Sequence, residues 1–298
     1  MPRVIVCKDP NLIGVEQCVD ALAEHGFNPR DEGSLAHAAL CLRQLGNDRH
    51  FLGDFIAREL ATRDEELREQ SYGPQSIVLS SAQFGAFLRA NIWPAESDQA
   101  LAASGRTAFQ YDMPHDHNFS FLTLGYFGPG YRSDYWEYDY EATTGFAGEH
   151  VPLIPKGRQQ LSPGKIMLYR AHLDIHNQLP PDAMSVSLNV MHADGTCGWF
   201  DQYRFDPGRG TIAGRLGAGS SEAFMRIAVS LESDDACDLA ERFGRSHPSD
   251  RMRYACWDAR AAVAGDDAVR DALWREAEGA GSLLVAAEAR RKRAELAG

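Results

Sequence analysis

Tyr111-Asp112-Met113-Pro114-His115-Asp116-His117-Asn118-Phe119-Ser120-Phe121-Leu122-Thr123-Leu124-Gly125-Tyr126-Phe127-Gly128-Pro129-Gly130-Tyr131 sets two histidines two positions apart, ahead of an apolar run and a glycine-flanked proline. At strand spacing both imidazoles leave the same face, so one divalent cation of the Fe, Zn, Cu or Ni type is within reach of both. The run from Phe119 to Phe127 enters Gly128-Pro129-Gly130, and Tyr131 to Glu141 is again aromatic. This spacing predicts a long β-hairpin centred on Pro129. Paired histidines are also common as plain surface or hydrogen-bonded residues, so the metal reading needs a third ligand in a suitable frame.

That frame lies downstream, in Ser162-Pro163-Gly164-Lys165-Ile166-Met167-Leu168-Tyr169-Arg170-Ala171-His172-Leu173-Asp174-Ile175-His176. Pro-Gly makes a turn, Ile166 to Tyr169 a short buried strand, a polar loop follows, and His176 opens the next strand. The two segments resemble the two motifs of the cupin superfamily: His115-Asp116-His117 matches the His-X-His motif, and His176 takes the ligand position of the Pro-Gly, strand, loop, His motif. The resemblance spans about residues 75 to 207. It implies a metal site of His115, His117 and His176. His172, four residues earlier in the loop, is the rival third ligand.

The chain departs from the family in one respect. Many cupins carry a glutamate shortly after the second histidine, where this sequence has Ser120, Phe121 and Leu122. The centre is then either three-histidine, as in the thiol dioxygenase branch, or draws a carboxylate from elsewhere. In an unbulged hairpin Phe121 faces Glu137 and His117 faces Glu141, which puts both glutamates on the histidine face together with Tyr135 and Asp139. One of Glu137 and Glu141, not both, is expected near the metal, as ligand or as hydrogen-bond acceptor for a ligand histidine or bound water. Two carboxylates would overcompensate a divalent charge. A solvated acidic face explains the same strand equally well.

With 298 residues and 44% hydrophobic composition the chain can bury a normal core. Forty-two acidic against thirty basic side chains give a net charge of -12, which repels a phosphate backbone and argues against nucleic acid as partner. The basic cluster Arg290-Arg291-Lys292-Arg293 is accounted for as favourable charge near a helix C-terminus. Six scattered cysteines without a C-x-x-C pair indicate reduced thiols. No run approaches about 20 apolar residues, so the expectation is a cytoplasmic protein with no membrane association.

In chain order, residues 1–74 read as helical, with apolar stripes at Leu12, Ile13, Val19 and Leu22, at Leu35, Ala38, Leu42 and Leu45, and at Leu52, Phe55, Ile56 and Leu60. After Gly73-Pro74, residues 75–207 read as short strands: Ser76 to Ser80, Phe84 to Trp93, the hairpin, His150 to Ile154, Ser185 to Met191 and Trp199 to Phe205. Within two of these, Arg89 and Asn91 alternate against Leu88 and Ala90, and Asn189 against Leu188 and Val190. If the aliphatic sets pack outward, Arg89, Asn91 and Asn189 face the interior with Tyr135 as candidate substrate-binding residues, Arg89 being suited to a carboxylate. A solvated face is the competing account of Arg89.

The Gly-rich segment Asp206 to Gly219 reads as a domain boundary, and residues 220–298 as a helical domain whose Ala-rich paired helices resemble HEAT-type repeats. The expected fold class is α+β. A run of short alternating strands between helical stretches predicts an antiparallel double-stranded β-barrel, a cupin-like jelly roll, with helical regions on either side.

Three neutral imidazoles, with or without one added carboxylate, leave two or three positions of a six-coordinate ion open, as an oxygen-activating or Lewis-acid site requires. The expected activity is that of a mononuclear non-haem Fe(II) oxygenase or dioxygenase acting on a small polar substrate with O2. The alternatives are a non-oxidative isomerase or lyase using another divalent metal as Lewis acid, and a metal-binding regulatory or interaction module. The helical flanks are candidate surfaces for a homodimer or a protein partner.

Overall fold

The computed structural model describes residues 1–66, 75–81, 85–193, 195, 197–217 and 219–298. The expected break at Gly73-Pro74 and the strand start at Phe84 lie outside them. The chain begins with a short strand, β1 (Arg3–Ile5), then α1 (Val15–His25), α2 (Glu32–Asn47) and α3 (Phe51–Glu66). Each start has a local cause. Gly14 opens α1 with its N–H donating to Gln17 Oε1 (3.0 Å). Asp31 caps α2, accepting from the Ser34 N–H at 2.7 Å, and Asp48 Oδ1 accepts from the N–H groups of His50 and Phe51.

The apolar stripes of these helices bury Cys18, Leu22, Leu35, Leu42 and Leu45 against one face of a six-stranded antiparallel sheet, whose contribution includes Leu88, Leu122, Leu124, Leu168 and Leu188. Its order is β1-β7-β4-β9-β3-β2, formed by β2 (Ser76–Val78), β3 (Ala86–Trp93), β4 (Phe121–Phe127), β7 (Ile166–Tyr169) and β9 (Ser185–His192) with β1. The short helix α4 (Gln99–Ser104) lies between β3 and β4 in sequence. A three-stranded sheet, order β6-β5-β8, comprises β5 (Arg132–Glu137), β6 (Ile154–Gln160) and β8 (Asp174–Leu179). The opposite face of the large sheet joins the small one in a second core of Trp93, Phe121, Tyr131, Tyr135, Tyr169 and Met191.

Two expectations are corrected here. The fold is mixed helix and antiparallel sheet, but no sheet closes among the described residues: the barrel is replaced by open sheets. The hairpin centred on Pro129 does not form either. Strand β4 pairs with β7 and β9, whereas β5 pairs with β6 and β8. Gly128-Pro129-Gly130 is a corner between sheets, with φ of 73° and 82° at the two glycines. It is closely covered: a Cβ on Gly128 would lie 2.2 Å from the Met184 carbonyl oxygen, and one on Gly130 1.9 Å from that of Leu161. Phe121 consequently faces Tyr169 and Met191, not Glu137.

The chain divides into two compact units, Met1–Tyr140 with Pro152–Cys197, and Glu141–Val151 with Gly198–Gly298. The N-terminal helices thus share a unit with the two sheets. The second unit holds the antiparallel pair β10 (Gln202–Asp206) and β11 (Thr211–Leu216), so the Gly-rich segment read as a boundary contains a strand. Its helices are α5 (Ser220–Ser230), α6 (Asp234–Ser246), α7 (Asp250–Ala262), α8 (Asp267–Glu278) and α9 (Leu283–Ala297). Ser249, Asp266 and Ser282 cap the last three. The group is centred on α7, which packs against α5, α6, α8 and α9, where HEAT-type repeats would stack pair on pair. In the C-terminal basic cluster Arg291 pairs with Glu288 and Glu295, and Arg293 with Asp271 and Glu278. Among the described residues no helix is long and apolar enough to cross a membrane.

Candidate metal centre

His115, His117 and His176 come together in the first unit, their ligand atoms all within 4.8 Å of one another. The backbone explains why. His115 and His176 form an isolated antiparallel bridge, each N–H donating to the other's carbonyl (3.0 and 2.9 Å). Tyr111 bridges Gln178 two residues further along β8, and the His172 N–H donates to the His117 carbonyl at 2.9 Å. The His-X-His segment is therefore pinned to β8 at His115 and to the preceding loop at His117. Between the two histidines Asp116 is fully buried, its Oδ2 accepting from the Tyr138 hydroxyl at 2.6 Å.

The Nε2 atom of His176 lies 2.9 Å from that of His117 and 3.2 Å from that of His115. Ligand nitrogens about 2.0–2.1 Å from one cation, at angles between octahedral and tetrahedral, are separated by about 2.9–3.4 Å. Both spacings fall in that window. His115 Nδ1 lies 2.7 Å from the Met113 carbonyl oxygen. A carbonyl can only accept, so Nδ1 carries the proton and the Nε2 lone pair is available to a cation.

All three rings are held neutral. Burial lowers His115 to about 4 against the opposing effect of the Met113 hydrogen bond. Burial, then repulsion by His115 and Arg89, holds His117 well below its ordinary value. For His176 the causes are burial, then His115 and His117. Neutral imidazole is the ligating form, so the donor set fits a divalent cation.

The remaining predicted residues divide. His172 lies outside the three-histidine group; it has a left-handed backbone (φ 59°) and its ring lies 4.1 Å from that of Tyr140, tilted by 44°. Glu137 also lies outside the group, engaged with Arg170 and Lys156 at 2.8 Å each. Burial would raise its carboxyl, but Lys156, the terminal amine and Arg170 together lower it to about 2. Glu141 is exposed and belongs to the second unit. Arg170 also holds the buried Asp174, so the nearby carboxylates have other partners.

Tyr135, by contrast, is the β5 partner of His176. Its hydroxyl shares a 2.7 Å hydrogen bond with that of Tyr169, whose ring lies 4.9 Å from His176. Burial raises the Tyr135 phenol to about 12 and that of Tyr169 further, so both carry their protons at neutral pH. Arg89, Asn189 and Thr123 are successive cross-strand partners on the face that also carries Phe87, Trp93 and Phe121, away from the helices. The Asn189 amide donates to the Arg89 carbonyl at 3.2 Å, and Asn91 accepts from Ser76 at 3.1 Å. Among the described residues no carboxylate pairs with Arg89, and its Nε is buried without a hydrogen bond. Burial lowers its guanidinium to about 10.

Tyr169 and Gln178 were not foreseen as site residues. Both were within reach of strand alternation: Gln178 stands two residues after His176, and Tyr169 closes the short strand of the Pro-Gly motif.

No family model and no curated protein sequence matches the chain. Among solved structures, a hydroquinone 1,2-dioxygenase in complex with Cd2+ and 4-hydroxybenzonitrile aligns at 15% identity, covering 44% of this chain and 71% of its own, with a TM-score of 0.28. A cupin-like protein from Thermotoga maritima aligns at 6% identity over 45% of this chain and 80% of its own, TM-score 0.24. The DMSP lyase of Ruegeria pomeroyi aligns at 11% over 65% and 78%, TM-score 0.25. Scores this low carry no argument about fold or chemistry.

Proposed function

We propose that the chain is a cupin-type metalloenzyme in which His115, His117 and His176 hold a divalent cation, with Fe(II) as the working metal, and that it is a dioxygenase for a small anionic substrate. The observation that carries the reading is the convergence of three neutral imidazole Nε2 atoms at metal-ligand spacing, in a group without a carboxylate. A structural zinc site is closed by four strong ligands, whereas this set leaves positions for reactants. Bound Fe(II) would supply the redox chemistry toward O2.

The protein's own residues bind and orient. Arg89, without an acidic partner among the described residues, anchors a substrate carboxylate, and Asn91 and Asn189 offer neutral hydrogen bonds beside it. Tyr135 and Tyr169 hold protons at their hydroxyls within the same core and have no charge to compete with the substrate. Phe119 and Phe121, whose rings lie 4.9 and 5.1 Å from His117, keep water from that side. The reading includes a cytoplasmic location and helical flanks that serve association with a partner or a second copy.

The test is metal analysis of anaerobically purified protein followed by an oxygen-uptake screen over small carboxylic acids. Stoichiometric iron with substrate-dependent uptake is the expected result. Turnover that ignores oxygen would reassign the site to a Lewis-acid isomerase or lyase, and a protein that retains no divalent metal would end the metalloenzyme reading.

A further inference from the structure

One polar side chain stands against His176, two residues beyond the histidine of the second motif. Gln178 follows His176 by two residues on β8, so strand alternation sets both on one face. Its backbone is fixed from both sides: it pairs with Ser133 of β5, and its carbonyl accepts from the Asp112 N–H at 3.1 Å. The side chain is 3% exposed. One end of its amide lies 3.3 Å from His176 Nε2, close to the 2.9 and 3.2 Å that separate the imidazole nitrogens themselves. The other end, placed as Oε1, is buried with no hydrogen-bond partner.

The two ends of a glutamine amide are assigned from their hydrogen bonds, and here the assignment leaves the oxygen with none. Turning the amide by half a turn brings the oxygen to the position 3.3 Å from His176 Nε2, a nitrogen that itself lies 2.9 and 3.2 Å from those of His117 and His115. An amide oxygen is a neutral donor of the kind divalent cations accept alongside imidazole.

We infer that Gln178 is the fourth protein ligand of the centre, coordinating the cation through its side-chain carbonyl oxygen. The inference rests on the metal-site reading above and extends it. It replaces the missing carboxylate of the first motif with a neutral oxygen from the second, so the protein cancels none of the cation's charge. A cation left with its full double charge favours anionic substrate groups at its open positions.

The experiment uses the full chain, stripped of metal and titrated anaerobically with Co(II), whose visible bands report ligand number and geometry. Gln178→Ala is expected to raise the Co(II) dissociation constant at least about tenfold and to change the band positions. Gln178→Glu, which keeps the shape and adds charge, is expected to bind Co(II) more tightly than the parent, with altered bands. Should the alanine variant fail to fold by circular dichroism, the glutamate variant decides alone. A parent-like Co(II) spectrum and affinity in either folded variant, with binding lost in His115→Ala and His117→Ala, overturns the role of Gln178 and leaves the three-histidine centre standing. No Co(II) uptake by the parent protein overturns the metal site, and this inference with it.

Discussion

Replacing Arg89 by methionine should make the metal-free protein more stable and its substrate binding weaker. The guanidinium is largely buried and, among the described residues, has no carboxylate to meet it. Burial lowers it from its ordinary value to about 10. A displacement of that size corresponds to about 3 kcal/mol of unfavourable charge burial in the folded state. Methionine retains most of the aliphatic stem, so little packing is lost, and a net stabilisation of about 1–3 kcal/mol follows. For a domain of this size that is a melting-temperature rise of roughly 2–4 °C per kcal/mol. Once substrates are identified, the same change removes a charge-assisted contact to a carboxylate and should raise KM by a factor on the order of 30 or more, with 2 kcal/mol as a lower bound. Urea and thermal unfolding of the metal-free parent and variant give the first quantity, steady-state kinetics the second. A variant destabilised by more than about 1 kcal/mol would mean that Arg89 has a structural partner, and the anchor argument would fall.

Metal-free protein should lose stability on mild acidification. His115 and His172 are both lowered to about 4, by burial in each case and by Arg30 in addition for His172. The unfolded chain takes up protons at these positions below pH 6.5 while the folded chain does not until about 4. The stabilisation is therefore complete above 6.5 and is lost as pH falls toward 4, by about 3 kcal/mol for His115 alone. Urea midpoints that stay flat from about pH 7 to about 4.5 would contradict this. Gly130→Ala should cost at least about 3 kcal/mol, from left-handed strain plus displacement of the Leu161 carbonyl. Gly157→Ala, with φ 79° and nothing within 4 Å of the added carbon, should cost only the strain, about 1–2 kcal/mol; equal losses in urea would refute the crowding argument. Alanine at His115, His117 or His176 should abolish stoichiometric divalent-metal binding by calorimetry, while His172→Ala keeps it; the reverse pattern for His172 and His176 would reassign the third ligand.

Strand faces were legible in the sequence wherever both sides of a strand pack. In β3 and β9 the aliphatic residues Leu88, Ala90, Leu188 and Val190 meet the helices, and Arg89, Asn91, Asn189 and Met191 take the other face. The histidine pair was legible for the same reason, since a spacing of two has one structural meaning in extended chain. The partner of β4 was not. Gly-Pro-Gly reads as a hairpin turn from local chemistry, and only the closely packed carbonyls of Met184 and Leu161, distant in sequence, make it a corner between sheets. The fate of Glu137 was hidden likewise, because Arg170 and Lys156 reach it through tertiary structure. Strand β11 was masked by glycine: Gly210 and Gly214 lower strand propensity in a segment whose pairing with β10 includes a register shift at Arg204 and Phe205.

Charge balance ties the site to the class of molecule it would take. The three clustered histidines are held neutral, Tyr135 and Tyr169 keep their protons, Asp116 accepts from Tyr138, and Asp174 and Glu137 are held by Arg170. On the proposed reading a bound divalent cation and Arg89 would then stand in one protein interior with no carboxylate assigned to either. Burying positive charge without a counter-ion costs several kcal/mol per ion even after relaxation, and open positions around a cation invite anions as readily as water. The missing negative charge has to come from what the site binds. A substrate with a carboxylate for Arg89 and a second acidic heteroatom for the metal would supply it, and a neutral analogue lacking the carboxylate would leave the guanidinium unpaired at the moment of binding. Sites that leave a buried polar partner unpaired discriminate by about 10⁴ or more. A screen in which amides and esters turn over as well as their parent acids would therefore count against Arg89 as the anchor even if metal, oxygen uptake and the three histidines all behave as expected.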